Sequence, residues 1–275
     1  ALAAREKVGH DPLLLGRARY QMGDLLMRLG RLEAKARMEE GLKALEEAGA
    51  PKDEVARVRA RYGTLLRRLG LYEEAEKALL QALSEAEDPF TRARVESEAG
   101  ILEAARGRPF EALAYLEAAE RYFRTTSERP KEARYRHLRT LFRLGAAYLL
   151  LEAGQPYRPP FLGGLRAEEA GRLLEALLTA IPEEATDRYT ALRLDTASLL
   201  ALLLPPEEGL GLLRPFLGLE NPYLRAQARL GYAEILARKG AYGEALAQVV
   251  ALPPLEDPGL QAQARAVEVL ALLGL

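Results

Sequence analysis

The residues that could do chemistry are few and dispersed. Two histidines, His10 and His137, lie far apart in the chain. His137 sits inside the basic run RYRHLR. A general acid or base needs a partner positioned within hydrogen-bond reach, and without one His137 reads as a solvated or packed side chain. Paired glutamates recur at Glu39–Glu40, Glu73–Glu74, Glu168–Glu169, Glu183–Glu184 and Glu207–Glu208. Most fall where a helix would begin, and negative charge there complements the helix dipole. That accounts for them without a catalytic dyad. The run GLGLL, Gly209–Leu213, lacks the lysine and the preceding strand of a phosphate-binding loop. There is no cysteine, so no thiolate nucleophile, disulfide or cysteine zinc site is available. We expect no catalytic residue, no metal site and no cofactor: the chain reads as a non-enzyme.

The elements that would carry a site are clearest in Val55–Pro89, VARVRARYGTLLRRLGLYEEAEKALLQALSEAEDP. Large apolar residues at Tyr62, Leu66, Leu69, Tyr72 and Leu79 and small ones at Gly63, Gly70, Ala75 and Ala82 describe two amphipathic helices joined by a glycine turn. Packed helices sit about 8–10 Å apart, closest where small side chains cross; Gly63 and Ala75 are the expected crossing. Gly70 suits the left-handed position just past a helix end.

On those residues the stretch resembles a tetratricopeptide repeat, with Gly63, Gly70, Tyr72, Ala75, Leu79 and Ala82 at the family's small, glycine, aromatic, alanine, bulky and alanine positions. Arg59 stands where the family has tryptophan, and the closing proline comes late, at Pro89. The pattern recurs. Repeat one spans Leu13–Gly30 and Leu32–Ala48, with Gly23 at the crossing and Pro12 opening its first helix. Repeat three carries Gly100, Gly107, Pro109, Ala112, Leu116 and Ala119, its second helix running to about Thr126. Repeat four opens on Pro130–Ala153, with Leu144, Gly145 and Tyr148. Its turn is replaced by an insertion, Gly154–Leu165, expected to form an ordered loop anchored by Phe161, and its second helix resumes at Arg166. Repeat five, Glu184–Leu203 and onward, has Pro205–Pro206 for a turn and a second helix shortened or kinked by Pro215. Repeat six carries Ala233, Gly240, Tyr242 and Ala245, and a terminal helix, Gly259–Leu273, follows. The chain begins with alanine and both ends fall inside the pattern, so it reads as one array over residues 1–275, cut from a longer chain.

The resemblance implies an all-α, right-handed superhelical solenoid of antiparallel helix pairs, about six repeats and a terminal helix, with the first helices lining a concave groove. Carried over position by position, the groove residues are Arg17, Tyr20 and Asp24, then Arg57, Ala60 and Thr64, then Arg94, Ser97 and Ile101. The later repeats give Arg139, Phe142 and Ala146, then Ala191, Leu194 and Ser198, then Gln227, Leu230 and Glu234. Arg17, Arg57, Arg94 and Arg139 thus form a row suited to carboxylate or phosphate. Phe142, Leu149, Leu194 and Leu202 make the other half apolar. The alternative for the arginines is pairing with neighbouring glutamates. Tyr20 and Asp24 stand where the family's clamp for chaperone C-termini has lysine and asparagine. On the last helix, Val267, Leu270, Leu272, Leu273 and Leu275 lack a covering helix; Leu270, Leu273 and Leu275 are the candidate interface, for a second copy or an adjoining domain.

A net charge of −1 argues against general binding to nucleic acid, which needs excess lysine and arginine. The longest apolar run, Ala197–Pro206, is too short to span a bilayer. The expected function is a cytoplasmic, non-catalytic module that binds a protein or acidic peptide, or senses a small anionic effector, without direct contact to nucleic acid or membrane. The lengthened repeats resemble the sensor domain of MalT-type bacterial transcription activators; a free-standing scaffold for a multiprotein complex is the alternative.

Overall fold

Proline and glycine set the helix ends. In the computed structural model, which describes residues 11–154, 167–182 and 186–274, the regular elements are all helical. The chain divides into two compact units with the boundary between Glu128 and Arg129. The first holds α1 (Pro12–Arg28), α2 (Ala34–Glu47), α3 (Lys52–Arg68), α4 (Tyr72–Glu85), α5 (Pro89–Ala105) and α6 (Pro109–Thr125). The second holds α7 (Pro130–Gly154), α8 (Ala167–Ala180), α9 (Asp187–Ala201), α10 (Pro206–Leu213), α11 (Pro222–Lys239), α12 (Tyr242–Val250) and α13 (Pro258–Gly274).

Three helices start alike. Asp11, Asp88 and Asn221 each precede a proline at the first helical position, and each side chain accepts main-chain N–H groups two and three residues on. The cap satisfies donors the helix leaves unpaired, and proline gives up an N–H that had no partner. Five helices also end alike. Gly30, Gly49, Gly70, Gly107 and Gly240 take φ of 71°, 69°, 76°, 73° and 87°. The following amide closes back on the helix, as Leu71 N does on Leu66 O at 2.9 Å and Ala241 N on Leu236 O at 2.9 Å. This Schellman-type closure needs a left-handed residue, and glycine alone adopts it without cost. Pro215 turns the end of α10 into a 3-10 segment, Arg214–Gly218, because it has no N–H for the α-helical ladder.

The packing of α1 on α2 fixes their sense. Going back along α1 from Gly23 through Tyr20 to Gly16, the nearest groups on α2 advance from Met38 through Gly41 to Leu45. The helices are therefore antiparallel. The same register recurs in the next two hairpins. A Cβ on Gly23 would lie over Met38, one on Gly63 over Leu79, and one on Gly100 over Leu116, with the carbonyls of Ala34, Ala75 and Ala112 beneath. The expected Gly63–Ala75 crossing is present, with Leu79 as the larger part of the contact. At Gly145 the approach is looser, 3.4 Å to Leu174.

The first unit's core gathers Met27, Met38, Leu45, Leu66, Leu79 and Leu102, and the second's gathers Leu194, Leu213, Leu224, Ile235, Leu236 and Val267. Polar ties join successive hairpins of the first unit. Asp53, in the first turn of α3, accepts the amides of Glu87 (2.9 Å) and Asp88 (3.0 Å) ahead of α5, and Lys52 pairs with Glu87 at 2.6 Å. Thr64 donates to Glu98 at 2.8 Å.

Several expectations change. Val267 is not on the uncovered face: it is 1% exposed, packed with Ala271 into the second core. Leu270 and Leu273 are 51% and 82% exposed. Leu194, expected in the groove, is a fully buried core residue. Most of the insertion Gly154–Leu165, including Phe161, lies outside the described residues, as do His10 and Leu275.

Candidate functional site: two concavities of opposite charge

The first helices of successive hairpins present equivalent positions side by side. In the first unit this brings Arg17 (α1), Arg57 (α3) and Arg94 (α5) to one concavity of about 230 Å³, with Tyr20 beside them. Leu45 and Val58, both buried, form its apolar floor. Glu54 is the counter-charge. Arg17 donates to its two oxygens from Nε (2.7 Å) and Nη2 (2.8 Å), a two-point guanidinium–carboxylate pair. That hydrogen bonding holds the Glu54 carboxyl below its usual pKa against the opposing effect of burial, and the charges of Arg17 and Arg57 add to it. Arg57 donates to the Thr91 hydroxyl at 3.4 Å. Three guanidiniums and the Glu54 carboxylate thus line this concavity.

The rest of the row belongs to the second unit. Arg139 donates to the Tyr135 hydroxyl at 3.3 Å on its own helix, α7, and Leu149 is half-buried there. Several other carried-over positions are sealed between helices. Ala60, Thr64 and Ser97 are buried. Asp24 is clasped by Arg61 and Arg28, each at 2.6 Å. Burial pushes its carboxyl up, but the two guanidiniums outweigh that and hold it below its usual pKa.

Arg59 is buried. It forms a two-point pair with Glu85 on α4, both contacts at 2.9 Å, and also pairs with Glu46 on α2. The arginine fills a packing position and ties three helices by charge.

The second unit holds a concavity of about 260 Å³ between α7, α9, α11 and α13. Phe142, Leu199 and Leu202 supply its apolar wall. Phe142 and Leu202 are two of the residues expected to make the groove apolar; the same concavity is also lined by Asp195 and Glu234 with Gln227 and Gln263. Gln227 Nε2 donates to Asp195 Oδ1 at 2.6 Å, and Glu234 faces Arg238 at 3.7 Å. Sequence reasoning placed Phe142, Ala146, Ser198, Gln227 and Glu234 on the groove and missed Glu54, Asp195 and Gln263. For Asp195 the signal was adjacent: it follows Leu194, and one residue turns a helix by about 100°. Among the described residues no three histidine, aspartate or glutamate side chains gather as a metal site.

No family model and no curated protein matches the chain. It is similar to Ton1535 from Thermococcus onnurineus NA1, whose crystal structure gives a TM-score of 0.35 at 15% identity over 97% of this chain and 94% of that one. A likeness of that size carries no argument about fold or function.

Proposed function

We propose that the chain is a non-catalytic binding module built of tetratricopeptide-like repeats in a right-handed superhelical array, and that its first-unit concavity takes an anionic group. The occupant is a carboxylate of an acidic peptide segment or of a small anionic effector. The observation that carries this reading is that Arg17, Arg57 and Arg94 line one concavity with Tyr20 and Glu54. The planar fork of arginine donates two parallel hydrogen bonds to a carboxylate or phosphate, and like charges held together favour an occupant of opposite sign. Glu54 already plays that part toward Arg17, so an incoming anion competes with it. A sensor role of the kind found in MalT-type activators is the parentage this reading favours; a scaffold for a multiprotein complex would use the same surface.

The test is calorimetric titration of the full chain with a hexaglutamate peptide and, separately, with citrate. Binding should weaken between 0.05 and 0.5 M salt, since added salt shortens the screening length from the ~10 Å of 0.1 M toward ~3 Å at 1 M. Arg57→Ala and Arg94→Ala should each lower affinity about tenfold, while Glu54→Gln should raise it by freeing Arg17. If Glu54→Gln weakens binding, or the arginine variants leave it unchanged with the far-ultraviolet dichroism intact, the reading fails.

A further inference from the structure

The outer face of α1 is apolar and open. Leu14, Met22, Leu25 and Leu29 are 48%, 37%, 56% and 47% exposed. At about 100° per residue they fall within an arc of about 80°, so they form one stripe along the helix and its cap. The next hairpins cover the equivalent face. Gly23, Gly63 and Gly100 hold the same register on their helices, so residues at equal distances from them correspond. Met22 corresponds to Tyr62 and Ala99, and Leu25 to Leu65 and Leu102. Those four are 9%, 6%, 4% and 1% exposed. The second helix of the preceding hairpin supplies the cover: α2 packs on α3, and α4 packs on α5. Leu42 and Leu45 of α2 share one core with Val58 and Tyr62 of α3. Arg19 stands where α3 has Arg59, four residues before the crossing glycine. Arg59 reaches Glu46 of α2. Arg19 makes no hydrogen bond or ion pair among the described residues.

We propose that this face docks an amphipathic helix of a partner protein, in the place that α2 takes on α3. The occupant presents a leucine and alanine stripe with a glutamate at its edge for Arg19. Length sets its size. From Leu14 to Leu29 the stripe runs ~22 Å at ~1.5 Å per residue, and the 14-residue α2 spans ~21 Å. Charge selects among occupants. Each covering helix of the first unit offers a carboxylate to an arginine of the helix it covers or of that helix's cap: Glu46 to Arg59, and Glu76 to Arg106. The stripe on α1 has Arg19 at its edge, and the positions between its exposed members, Leu15, Ala18 and Leu26, are apolar. No carboxylate belongs to it. The α1 of a second copy would bring a further guanidinium to an already cationic edge, whereas an acidic helix neutralises the one present. The planar fork of arginine suits a glutamate there, as it does at Arg59.

The probe is a fluorescein-labelled peptide with the sequence of Ala34–Ala50, which contains the helix that covers α3. Titrated with the full chain, its anisotropy should rise to saturation. Leu25→Asp places a charge on the stripe where the side chain is already half open to water, so the fold is kept; it should weaken binding at least tenfold. Arg19→Gln should weaken it several-fold, as should Glu46→Gln in the peptide. The two together should cost no more than either alone, because they remove one contact. Excess hexaglutamate should leave the peptide bound; displacement would place the peptide in the arginine concavity and overturn the proposal. It is also overturned if the peptide does not bind, whether the face stays open or the chain itself fills it, if Leu25→Asp binds like the parent, or if the Arg19 and Glu46 effects multiply as independent ones do. Sedimentation tests the second copy: a dimer of the parent chain that Leu25→Asp breaks would assign the face to self-association and overturn the partner. The anionic reading of the first unit is tested apart from these results, since it rests on Arg57 and Arg94, which this face does not include.

Discussion

Gly23 and Gly231 are both glycines inside helices, and replacing each by alanine should have opposite effects on stability. The helix preference gained is the same, about 0.8–1 kcal/mol. The surroundings differ. A Cβ at Gly231 would find its nearest atoms, Leu213 Cδ1 and Ser198 Oγ, at 3.6 Å, which is ordinary contact. A Cβ at Gly23 would lie 2.8 Å from the main-chain N of Met38. Side-chain rotation cannot relieve a clash with backbone. Restoring ordinary contact of about 3.4 Å would move α2 away from α1 by roughly 0.6 Å, and a gap of about 0.5–1 Å forfeits a quarter to a half of each pair attraction. Met38, Ala34 and Leu45, all fully buried, would lose contact together. Overpacking of this kind costs about 1–3 kcal/mol, and backbone contact places it at the upper end. The net expectation is a loss of about 2 kcal/mol for Gly23→Ala and a gain of about 0.5–1 kcal/mol for Gly231→Ala. Native-state hydrogen exchange reads each unit separately, which a single melting curve would not do for a chain of this size. Protection should fall in α1 and α2 for the first variant and rise in α11 for the second. A stabilised Gly23→Ala, or a destabilised Gly231→Ala, would refute the packing argument.

Tyr62 has its phenol pushed up to about 12, by burial first and then by the charges of Glu39 and Glu74. Its unfolded value is about 10, so the contribution is complete below pH 10 and is lost as pH rises from 10 to 12, amounting to about 2–3 kcal/mol; Tyr62→Phe should remove that part of the alkaline decline in urea-unfolding stability, and an unchanged decline would contradict the assignment. Arg59→Ala should destabilise the first unit by about 2–3 kcal/mol, less than the 3–5 of a fully buried pair because Glu46 is half open to water; a loss under about 0.5 kcal/mol by urea unfolding would show the three-helix tie to be unimportant. If α13 meets a second copy, Leu273→Asp should shift a concentration-dependent sedimentation coefficient to the monomer value; a parent chain that is monomeric at 0.1 mM rules out that contact.

The glycines made much of the fold legible. Gly30, Gly70, Gly107 and Gly240 punctuate the sequence because the backbone there needs positive φ, and nothing distant decides it. Gly23, Gly63 and Gly100 were legible because helices cannot approach closely over a side chain. The site was legible as rows: Arg17, Arg57 and Arg94 share a repeat position and so share a concavity. Their partners were not. Arg17 meets Glu54 across a hairpin boundary, and Arg59 meets Glu46 and Glu85 on two other helices; repeat spacing says which positions are equivalent, not which side chains reach across. Leu194 was misplaced because the groove position expected on α9 was set one residue too early. That error exchanges a core leucine for the acidic Asp195 next to it, which changes the chemistry of the whole cavity.

The hold of Asp53 on the amides of Glu87 and Asp88 has a mechanical consequence. Asp88 starts α5, so the joint between the second and third hairpins is gripped at the point where the third begins. Bending there would stretch both hydrogen bonds to the Asp53 carboxylate at once. The 3.4 Å contact of Arg57 with Thr91 spans the same joint one turn further along α3. It borders the arginine concavity. An anion spanning Arg57 and Arg94 would add a strut across that joint. Occupancy would then register as a rise in spring constant under single-molecule tension, with little change of shape.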